Sequence, residues 1–247
     1  LLEILEEVKH NGASEKAHLG LTDLVGPLLE TGDPKLEGMP YAWLSRLRRH
    51  ALRPHQTGSD IVRRSAGLPF ALVALAKAEP KGLPKKLLPL GMRTFLDIAS
   101  AGPGAGAGDD GDGGGPGGRA FITTFPSAGD AGIGLNVLSY FPRVHALNML
   151  SKVFNDSELA TDTSGFYADG LKLAIRGFAD ERWEVRNGAS QLYSTLVVRM
   201  IGFKNVWRVE TSRKAITSSE FFDRFGALHA FFRVELEEAT ESVLSLI

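Results

Sequence analysis

The amino-acid sequence predicts an all-α protein, a solenoid of stacked antiparallel helical hairpins. Three observations predict this fold class. Apolar residues recur with the 3.6-residue helical period along most of the 247 residues, and no segment alternates convincingly with period two. A weak internal repeat recurs along the chain. The composition, 43% hydrophobic and 23% charged with a net charge of −1, is typical of a globular protein and excludes a general polycation.

The predicted helices follow one another along the chain. Apolar residues within 21–29 form one helical face, and Gly32-Asp33-Pro34 ends that helix. Residues 41–52 form a second amphipathic helix. Further helices are predicted at 59–79 with a bend at Pro69, and at 84–99, 137–155, 165–178, 183–201 and 218–246. The last of them opens with a capping box, Thr217-Ser218-Ser219-Glu220.

Residues 101–118 form a low-complexity insert, with ten glycines among eighteen positions. This composition cannot bury enough apolar surface to offset its ordering entropy, which predicts a disordered loop between helices. Phe121-Ile122-Thr123-Thr124-Phe125 is the best strand candidate, and Pro126 ends it. The apolar first and last residues indicate that residues 1–247 are one segment of a longer solenoid.

Several absences narrow the possible chemistry. The chain has no cysteine, which excludes disulfides, thiolate zinc sites and cysteine nucleophiles. The six histidines form no metal-ligand pair at helical spacing, so no metal site is predicted. No apolar run approaches the ~18–20 residues of a membrane span. Asp130-Ala131-Gly132-Ile133-Gly134 faintly resembles a turn that binds S-adenosylmethionine, but Pro126 precedes it closely and helical sequence follows.

The internal repeat is carried by three short phrases. Val62-Arg63-Arg64-Ser65-Ala66 resembles Val185-Arg186-Asn187-Gly188-Ala189, and Val144-His145-Ala146-Leu147-Asn148 is a looser copy. A buried valine followed by a small residue that lets helices approach closely is typical of HEAT-type repeats, whose period is ~40–47 residues. The repeat therefore favours an armadillo/HEAT-like solenoid.

The first candidate site is a basic cluster around Arg63-Arg64-Ser65-Ala66-Gly67-Leu68-Pro69. Six arginines between residues 41 and 66 are opposed by a single acid, Asp60. Arginine suits phosphate and carboxylate because its donors are planar and fixed. The cluster predicts a surface for RNA backbone or an acidic partner, and the alternative is a solvated helix face with internal ion pairs. The residues assigned to binding are Arg46, Arg48, Arg49, Arg63, Arg64, Ser65, Gly67 and Pro69.

A second group of residues is interpreted as structural. Trp183 is expected to pack with Phe178 between hairpins. Arg186 and Asn187 are expected to bond carbonyl groups between helices. The residues assigned to this group are His145 and Asn148, taken as a hydrogen-bonding pair in a repeat core, with Arg176, Trp183, Arg186 and Asn187.

These motifs together resemble those of the thyroid adenoma-associated protein family. Arg63-Arg64-Ser65-Ala66-Gly67-Leu68-Pro69 looks like the family signature. The resemblance continues in order through Val144-His145-Ala146-Leu147-Asn148, Ala174-Ile175-Arg176-Gly177-Phe178, Trp183-Glu184-Val185-Arg186-Asn187 and Glu220-Phe221-Phe222-Asp223-Arg224-Phe225. The chain departs from the family pattern at Asn11, Ser14 and Gly226.

The resemblance implies a function. Fungal relatives in this family are accessory subunits of a tRNA ribose methyltransferase. The resemblance implies that this chain is a non-catalytic partner of an FtsJ-type 2′-O-methyltransferase. The partner would direct that enzyme to position 32 of the tRNA anticodon loop, and the enzyme would hold S-adenosylmethionine. We expect tRNA and the methyltransferase as partners, a cytoplasmic location, and neither a membrane nor DNA. The alternatives are a protein-interaction scaffold without an RNA role and an enzyme with its own cofactor site near residues 129–136.

Overall fold

The computed structural model describes residues 1–53, 55–80, 84–101, 140–202 and 216–245. Within these ranges the chain is helical and contains no β-strand, which confirms the all-α prediction. The helices are α1 (Leu2–Glu7), α2 (Asn11–Leu29), α3 (Pro34–Glu37), α4 (Met39–Ala51), α5 (Leu68–Lys77), α6 (Leu87–Ser100), α7 (Phe141–Asn155), α8 (Ala160–Thr163), α9 (Tyr167–Gly177), α10 (Trp183–Ile201), α11 (Ser218–Arg224) and α12 (Gly226–Leu244).

Some sequence predictions lie outside the described residues. The proposed strand at 121–125 and the glycine turn at 130–134 both do so. Of the predicted insert at 101–118, only Ala101 is described. Two statements therefore stay predictions: that residues 101–118 form a disordered insert, and that residues 1–247 are one segment of a longer solenoid.

The helices stack in an α-solenoid, in which each layer packs against its neighbours. Helix α2 packs on α5, α5 and α6 both pack on α7, and α7 packs on α10. Helix α9 then lies between α10 and α12. Helix α7 is the centre of this stack and is buried on nearly every side, from Val144 through Leu150. A helix that is buried all round must be mainly apolar, and its two buried polar residues, His145 and Asn148, consequently require partners.

The chain before α5 differs from the predicted bent helix. Helix α5 begins at Leu68, so Pro69 lies in its first turn, where a missing N–H costs nothing. The prediction of one helix over 59–79, kinked at Pro69, is wrong. Residues 63–66 have positive φ and form a separate left-handed turn, which is named here the arginine turn.

The arginine turn also changes the predicted repeat. Val144 and Val185 are buried near the starts of α7 and α10, as the repeat requires. Residues 63–66 do not open a right-handed helix, so they are not an equivalent copy. The phrases that begin at Val144 and Val185 therefore share one role, a buried valine in the first turns of a helix.

The predicted helix at 218–246 is two helices. The capping box at Thr217 and Glu220 is confirmed. Helix α11 ends at Arg224, because Phe225 leaves the helical region with φ −126° and ψ 54°. The Phe225 side chain is buried and packs against Phe221, which stabilises this break between α11 and α12.

A buried carboxylate caps helix α6. Glu79, only 7% exposed, accepts hydrogen bonds from the backbone N–H groups of Lys86, Leu87 and Leu88 at 2.6, 2.7 and 2.8 Å. The first amides of a helix have no partner within it, and its N-terminus favours negative charge. Glu79 therefore fixes α6 to the end of α5, although nothing in the sequence singled it out.

Candidate functional site

The arginine turn is the most unusual backbone feature in the described part of the chain. Arg63 has φ 53° and ψ 39°, and Arg64 has φ 58° and ψ 48°. Ser65 and Ala66 continue with φ 65° and 48°. For residues with a side chain this conformation costs roughly 1–2 kcal/mol each, so a run of four needs strong restraint. Such strain is concentrated at functional sites, which makes the turn the candidate site.

The hydroxyl of Ser65 anchors the turn to helix α7. Ser65 is 2% exposed, and its Oγ lies 2.7 Å from His145 Nδ1 and 3.0 Å from Asn148 Nδ2. His145 Nε2 lies 2.8 Å from Gln56 Oε1. The Gln56 amide nitrogen donates to the carbonyls of Ala51 and Arg53 at 2.8 and 2.9 Å. The network therefore connects the turn, α7 and the end of α4.

The orientation of every hydrogen bond in this network follows from Gln56. Because its nitrogen faces two carbonyls, its oxygen must accept from His145 Nε2–H. The neutral imidazole then has an unprotonated Nδ1, which accepts the Ser65 hydroxyl proton. Ser65 Oγ in turn accepts from the Asn148 amide. Each polar group is satisfied with His145 neutral.

Burial keeps His145 neutral. Desolvation lowers the pKa of His145 to about 4, and nearby His50 acts in the same direction. The Asp60 carboxylate opposes this shift more weakly. His145 thus stays uncharged over the whole neutral range. It serves as a hydrogen-bonding element of the core.

Gly67 lets the turn lie against helix α1. A Cβ atom on Gly67 would meet the carbonyl oxygen of Leu5 at 2.2 Å and the Leu5 Cα at 2.7 Å. Only glycine permits this approach of two backbones. Ser65, Gly67 and Pro69 are all buried, so these three residues of the predicted binding surface contact their own chain instead of solvent. Their burial restrains the turn between α1, α5 and α7.

The two arginines of the turn lie on the surface. Both Arg63 and Arg64 are exposed. Arg63 Nη1 donates to the Lys9 carbonyl at 2.6 Å, which attaches the turn to the loop after α1. Lys9 Nζ in turn donates to the Ser59 carbonyl at 2.6 Å. No hydrogen bond or ion pair joins Arg64 to the described residues. The turn presents guanidinium groups outward on a restrained backbone.

The other predicted arginines divide into two groups. Arg46 is bound internally, because its Nε and Nη2 lie 2.9 and 2.6 Å from the Glu6 carboxylate, which is 3% exposed. This pair joins α4 to α1. For Arg46 it corresponds to the alternative interpretation of the basic cluster, in which arginines form internal ion pairs. Arg48 is half-buried and Arg49 is exposed. The solvent-facing positive charge in this region therefore comes from Arg49 and the arginine turn, with Arg53 also exposed.

The residues interpreted as structural around the start of α10 make only some of the contacts expected of them. Arg186 Nη1 donates to the carbonyls of Asp180 and Glu181 at 2.8 and 3.0 Å, as predicted for the turn before α10. Asn187 is exposed and makes no such bond to the residues that the structure describes. Trp183 is 64% exposed, so its predicted packing between hairpins is wrong. In the first turn of α10 the indole lies largely in solvent, and Val185 is the residue that is buried instead.

Arg176 and Arg143 link neighbouring helices. Arg176 Nε donates to Glu235 at 2.8 Å and its guanidinium lies over the Phe231 ring, which joins α9 to α12. Arg143 forms an ion pair with Asp180 beside α9. The Arg176 contacts attach α9 to α12, and the interpretation of Arg176 as structural stays a prediction. No group of three potential metal ligands occurs among the described residues.

Comparison with known proteins identifies the family of this chain. A family model described as "THADA/TRM732, DUF2428" matches residues 1–184, which include the arginine turn and all of its partners. A second model, "Trm732, C-terminal TPR repeats", matches residues 186–246. This chain belongs to the THADA/TRM732 family. The family resemblance stated from the sequence is thereby confirmed, and helical repeats agree with the solenoid.

Individual THADA/TRM732 relatives align along nearly the whole chain. Proteins named "tRNA (32-2'-O)-methyltransferase regulator THADA" from Gallus gallus and Homo sapiens are 30% and 31% identical over 243 and 240 residues, 98% and 97% of this chain. The "tRNA (32-2'-O)-methyltransferase regulator trm732" of Schizosaccharomyces pombe is 24% identical over 98% of the chain. The aligned region is 11% of the two vertebrate relatives and 14% of the yeast one. No solved structure matches this chain.

Sequence reasoning missed one residue of the candidate site. Gln56 was not singled out, because a lone glutamine in a loop has no pattern that distinguishes it. His145 and Asn148 were expected to form a pair, but they share Ser65 as their partner instead. Their position inside the family motif was the one signal that connected them to the turn. None of the helices that the structure describes is long and apolar enough to cross a membrane.

Proposed function

We propose that this chain is a non-catalytic part of a regulator that binds an FtsJ-type tRNA ribose 2′-O-methyltransferase and directs it to position 32 of the anticodon loop. The printed names of the relatives, which describe methyltransferase regulators, support this proposal. Because the chain spans about a tenth of the vertebrate relatives, the activity, tRNA substrate and partner of the whole protein all belong to the proposal. In this account the partner enzyme holds S-adenosylmethionine, and the complex is cytoplasmic.

The observation that carries the proposal is the exposure of Arg63 and Arg64 on a restrained turn. A guanidinium group recognises phosphate or carboxylate through parallel hydrogen bonds of fixed geometry. A backbone that is already ordered loses less entropy when the ligand binds. The turn therefore has the features of a recognition element that contributes position and charge without chemistry.

Neighbouring charge extends this surface. The Arg63 bond to the Lys9 carbonyl brings a lysine beside the turn, and Arg49 and Arg53 are exposed at the end of α4. The whole chain has a net charge of −1, so the positive charge is local. Contacts between such a surface and tRNA phosphates release counterions and weaken steeply with salt. We propose tRNA as the ligand of the arginine turn and the adjoining arginines.

The test is a pull-down of the full-length protein with the methyltransferase, with and without tRNA. The test variant is Arg63→Ala/Arg64→Ala. The matched control is Arg224→Ala/Arg233→Ala, which removes the same charge from exposed arginines at the other end of the described chain. We expect the test variant to retain several-fold less tRNA than the control, with the difference shrinking as salt rises. Equal retention by both variants would contradict the proposal.

The same experiment separates the other functions. Capture of the methyltransferase that is independent of tRNA, together with no tRNA binding at low salt, would indicate a protein-interaction scaffold. Methyl transfer by this protein without the partner enzyme would indicate an enzyme in its own right. Loss of methyltransferase capture in the arginine variant without tRNA would assign the two guanidinium groups to the enzyme.

A further inference from the structure

We propose that Gln56, His145 and Asn148 are positioning residues of the regulated reaction, which act through Ser65 to hold the arginine turn in its left-handed conformation. This inference rests on the proposed function of the turn. It assigns a role in recognition to three side chains that do not belong to the exposed arginine surface.

The conformation of the turn requires such a restraint. Left-handed backbone is unfavourable at each of the four residues 63–66, none of which is glycine. The hydrogen bonds inside the turn are few and long, with Ser65 N–H to Ile61 O at 3.3 Å and Ala66 N–H to Arg63 O at 3.2 Å. Strain of this kind persists only where surrounding structure fixes it. The side-chain bonds to Ser65, at 2.7 and 3.0 Å, are shorter than these and buried, whereas the 2.6 Å bond from Arg63 to the Lys9 carbonyl is exposed to water. The Ser65 bonds are therefore the main buried polar restraint.

The network is suited to this task because it has a single consistent arrangement. Both imidazole nitrogens of His145 are used, and the Gln56 amide uses its oxygen and its nitrogen. The Ser65 hydroxyl both donates and accepts. Losing the hydroxyl would leave two buried polar groups on α7 without a partner, which is more costly than losing an exposed bond. The turn is consequently held in one position.

Burial requires His145, Asn148 and Ser65 to act indirectly, and half-buried Gln56 reaches the turn through His145. His145 is 1% exposed, Asn148 is 8% exposed and Ser65 is 2% exposed. None of the three can contact a macromolecule that binds outside. A change in tRNA methylation after their substitution must therefore pass through the position of Arg63 and Arg64. The charged or titratable groups that face His145 are His50 and Asp60, and neither forms a hydrogen bond with Ser65.

The experiment combines limited trypsin digestion with a methylation assay on the full-length protein. Trypsin cleaves after arginine only when the surrounding chain opens, so the cleavage rate after Arg63 and Arg64 reports the opening of the turn. Cleavage after Arg224 and Arg233, which lie in α11 and α12 away from the turn, reports general unfolding in the same sample. The test variants are Ser65→Ala and Ser65→Gly, since glycine also removes the hydroxyl but adopts positive φ without strain and keeps the chain folded.

The matched control is Ser14→Ala. Ser14 is a buried serine with 1% exposure, and its hydroxyl lies 3.4 Å from the Val8 carbonyl, outside the network. We expect both Ser65 variants to be cleaved after Arg63 and Arg64 about tenfold faster, or more, than the control, relative to the other sites. Methylation in the presence of the methyltransferase should fall in parallel. His145→Gln should give the same pattern.

The outcomes separate this inference from the function on which it rests. If Arg63→Ala/Arg64→Ala abolishes methylation and the Ser65 variants leave it unchanged, the positioning role is wrong and the proposed function stands. If the methyltransferase works normally with the Arg63→Ala/Arg64→Ala protein, the proposed function is wrong, and the positioning role that rests on it is overturned as well. Unchanged cleavage after Arg63 and Arg64 in both Ser65 variants would overturn the positioning role whatever the methylation result.

Discussion

The Ser65 hydroxyl donates a hydrogen bond to His145 Nδ1 at 2.7 Å, across 80 positions of the sequence. This contact fixes a strained turn, which displays two exposed arginines, against α7 at the centre of the described helices. The surface that we propose for recognition is therefore determined by the core.

Replacing Gly67 by alanine should destabilise the chain strongly. The new Cβ would lie 2.2 Å from the Leu5 carbonyl oxygen, so the turn and α1 must move apart. We expect a loss of ~1–3 kcal/mol in the free energy of unfolding, or more, measured by chemical denaturation. The control is Gly165→Ala, where a Cβ meets no atom within 4 Å and the effect should be within about 0.5 kcal/mol. Equal stability of the two variants would show that the close approach is absent.

Acid should destabilise the chain through His145. Its pKa is about 4 in the folded chain and 6.5 when unfolded, so protonation favours the unfolded state. The penalty is absent above about pH 7, and it grows as pH falls through 6.5 to a full value of about 3 kcal/mol below the folded-state pKa. The free energy of unfolding of the wild type should therefore decline more steeply over this interval than that of His145→Gln. If the free energy of unfolding declined equally with falling pH in both proteins, a buried neutral His145 would be contradicted.

Removing the Glu79 carboxylate should loosen the start of α6. Glu79→Ala loses three charge-assisted bonds to backbone amides and leaves the amides of Leu87 and Leu88 buried without that partner. Hydrogen bonds to charged groups contribute about 1.5–3 kcal/mol, and we expect a loss in this range. Hydrogen exchange at Lys86, Leu87 and Leu88 should accelerate in the variant. Glu15→Ala, at an exposed position, is the control, and a matching loss there would argue against a specific cap.

Arg46 and Arg49 should differ in function although they lie on the same helix. Arg46→Ala breaks its pair with Glu6 and should lower stability, by about 1 kcal/mol because Arg46 is itself half-exposed. Arg49→Ala should leave stability within about 0.5 kcal/mol and reduce the dependence of tRNA binding on salt. Denaturation and salt titration of both variants provide the measurement. The reverse pattern would place Arg46 at the recognition surface.

The sequence predicted the helices well because their apolar period is long and regular, as in residues 183–201, which match α10. It failed at the arginine turn, since no local preference predicts positive φ at Arg63 or Arg64. The left-handed conformation depends on Ser65, Gly67 and α7, which are brought together only by folding. Trp183 was misplaced because the periodicity does not show which side of a helix end lacks a neighbour.

The sequence predicted the exposed arginines of the candidate site but not the buried contacts that position them. The arginine excess between residues 41 and 66 marked the correct region. Pairing of Arg46 with Glu6 depends on the packing of α4 against α1, and the sequence alone left it open. The role of Gln56 required the positions of two loops and a helix, so only the structure could reveal it.

The proposal under test is that Arg63 and Arg64 act in recognition and that the chain folds without their side chains. It is tested by the rate of ribose methylation at position 32 of tRNA by the methyltransferase with the full-length Arg63→Ala/Arg64→Ala protein, alongside circular dichroism of the same preparation. We predict a folded protein with methylation reduced at least about tenfold, as expected for the loss of about 1.4 kcal/mol of binding or transition-state stabilisation, and normal methylation with Arg224→Ala/Arg233→Ala. A folded variant with undiminished methylation would contradict the claim.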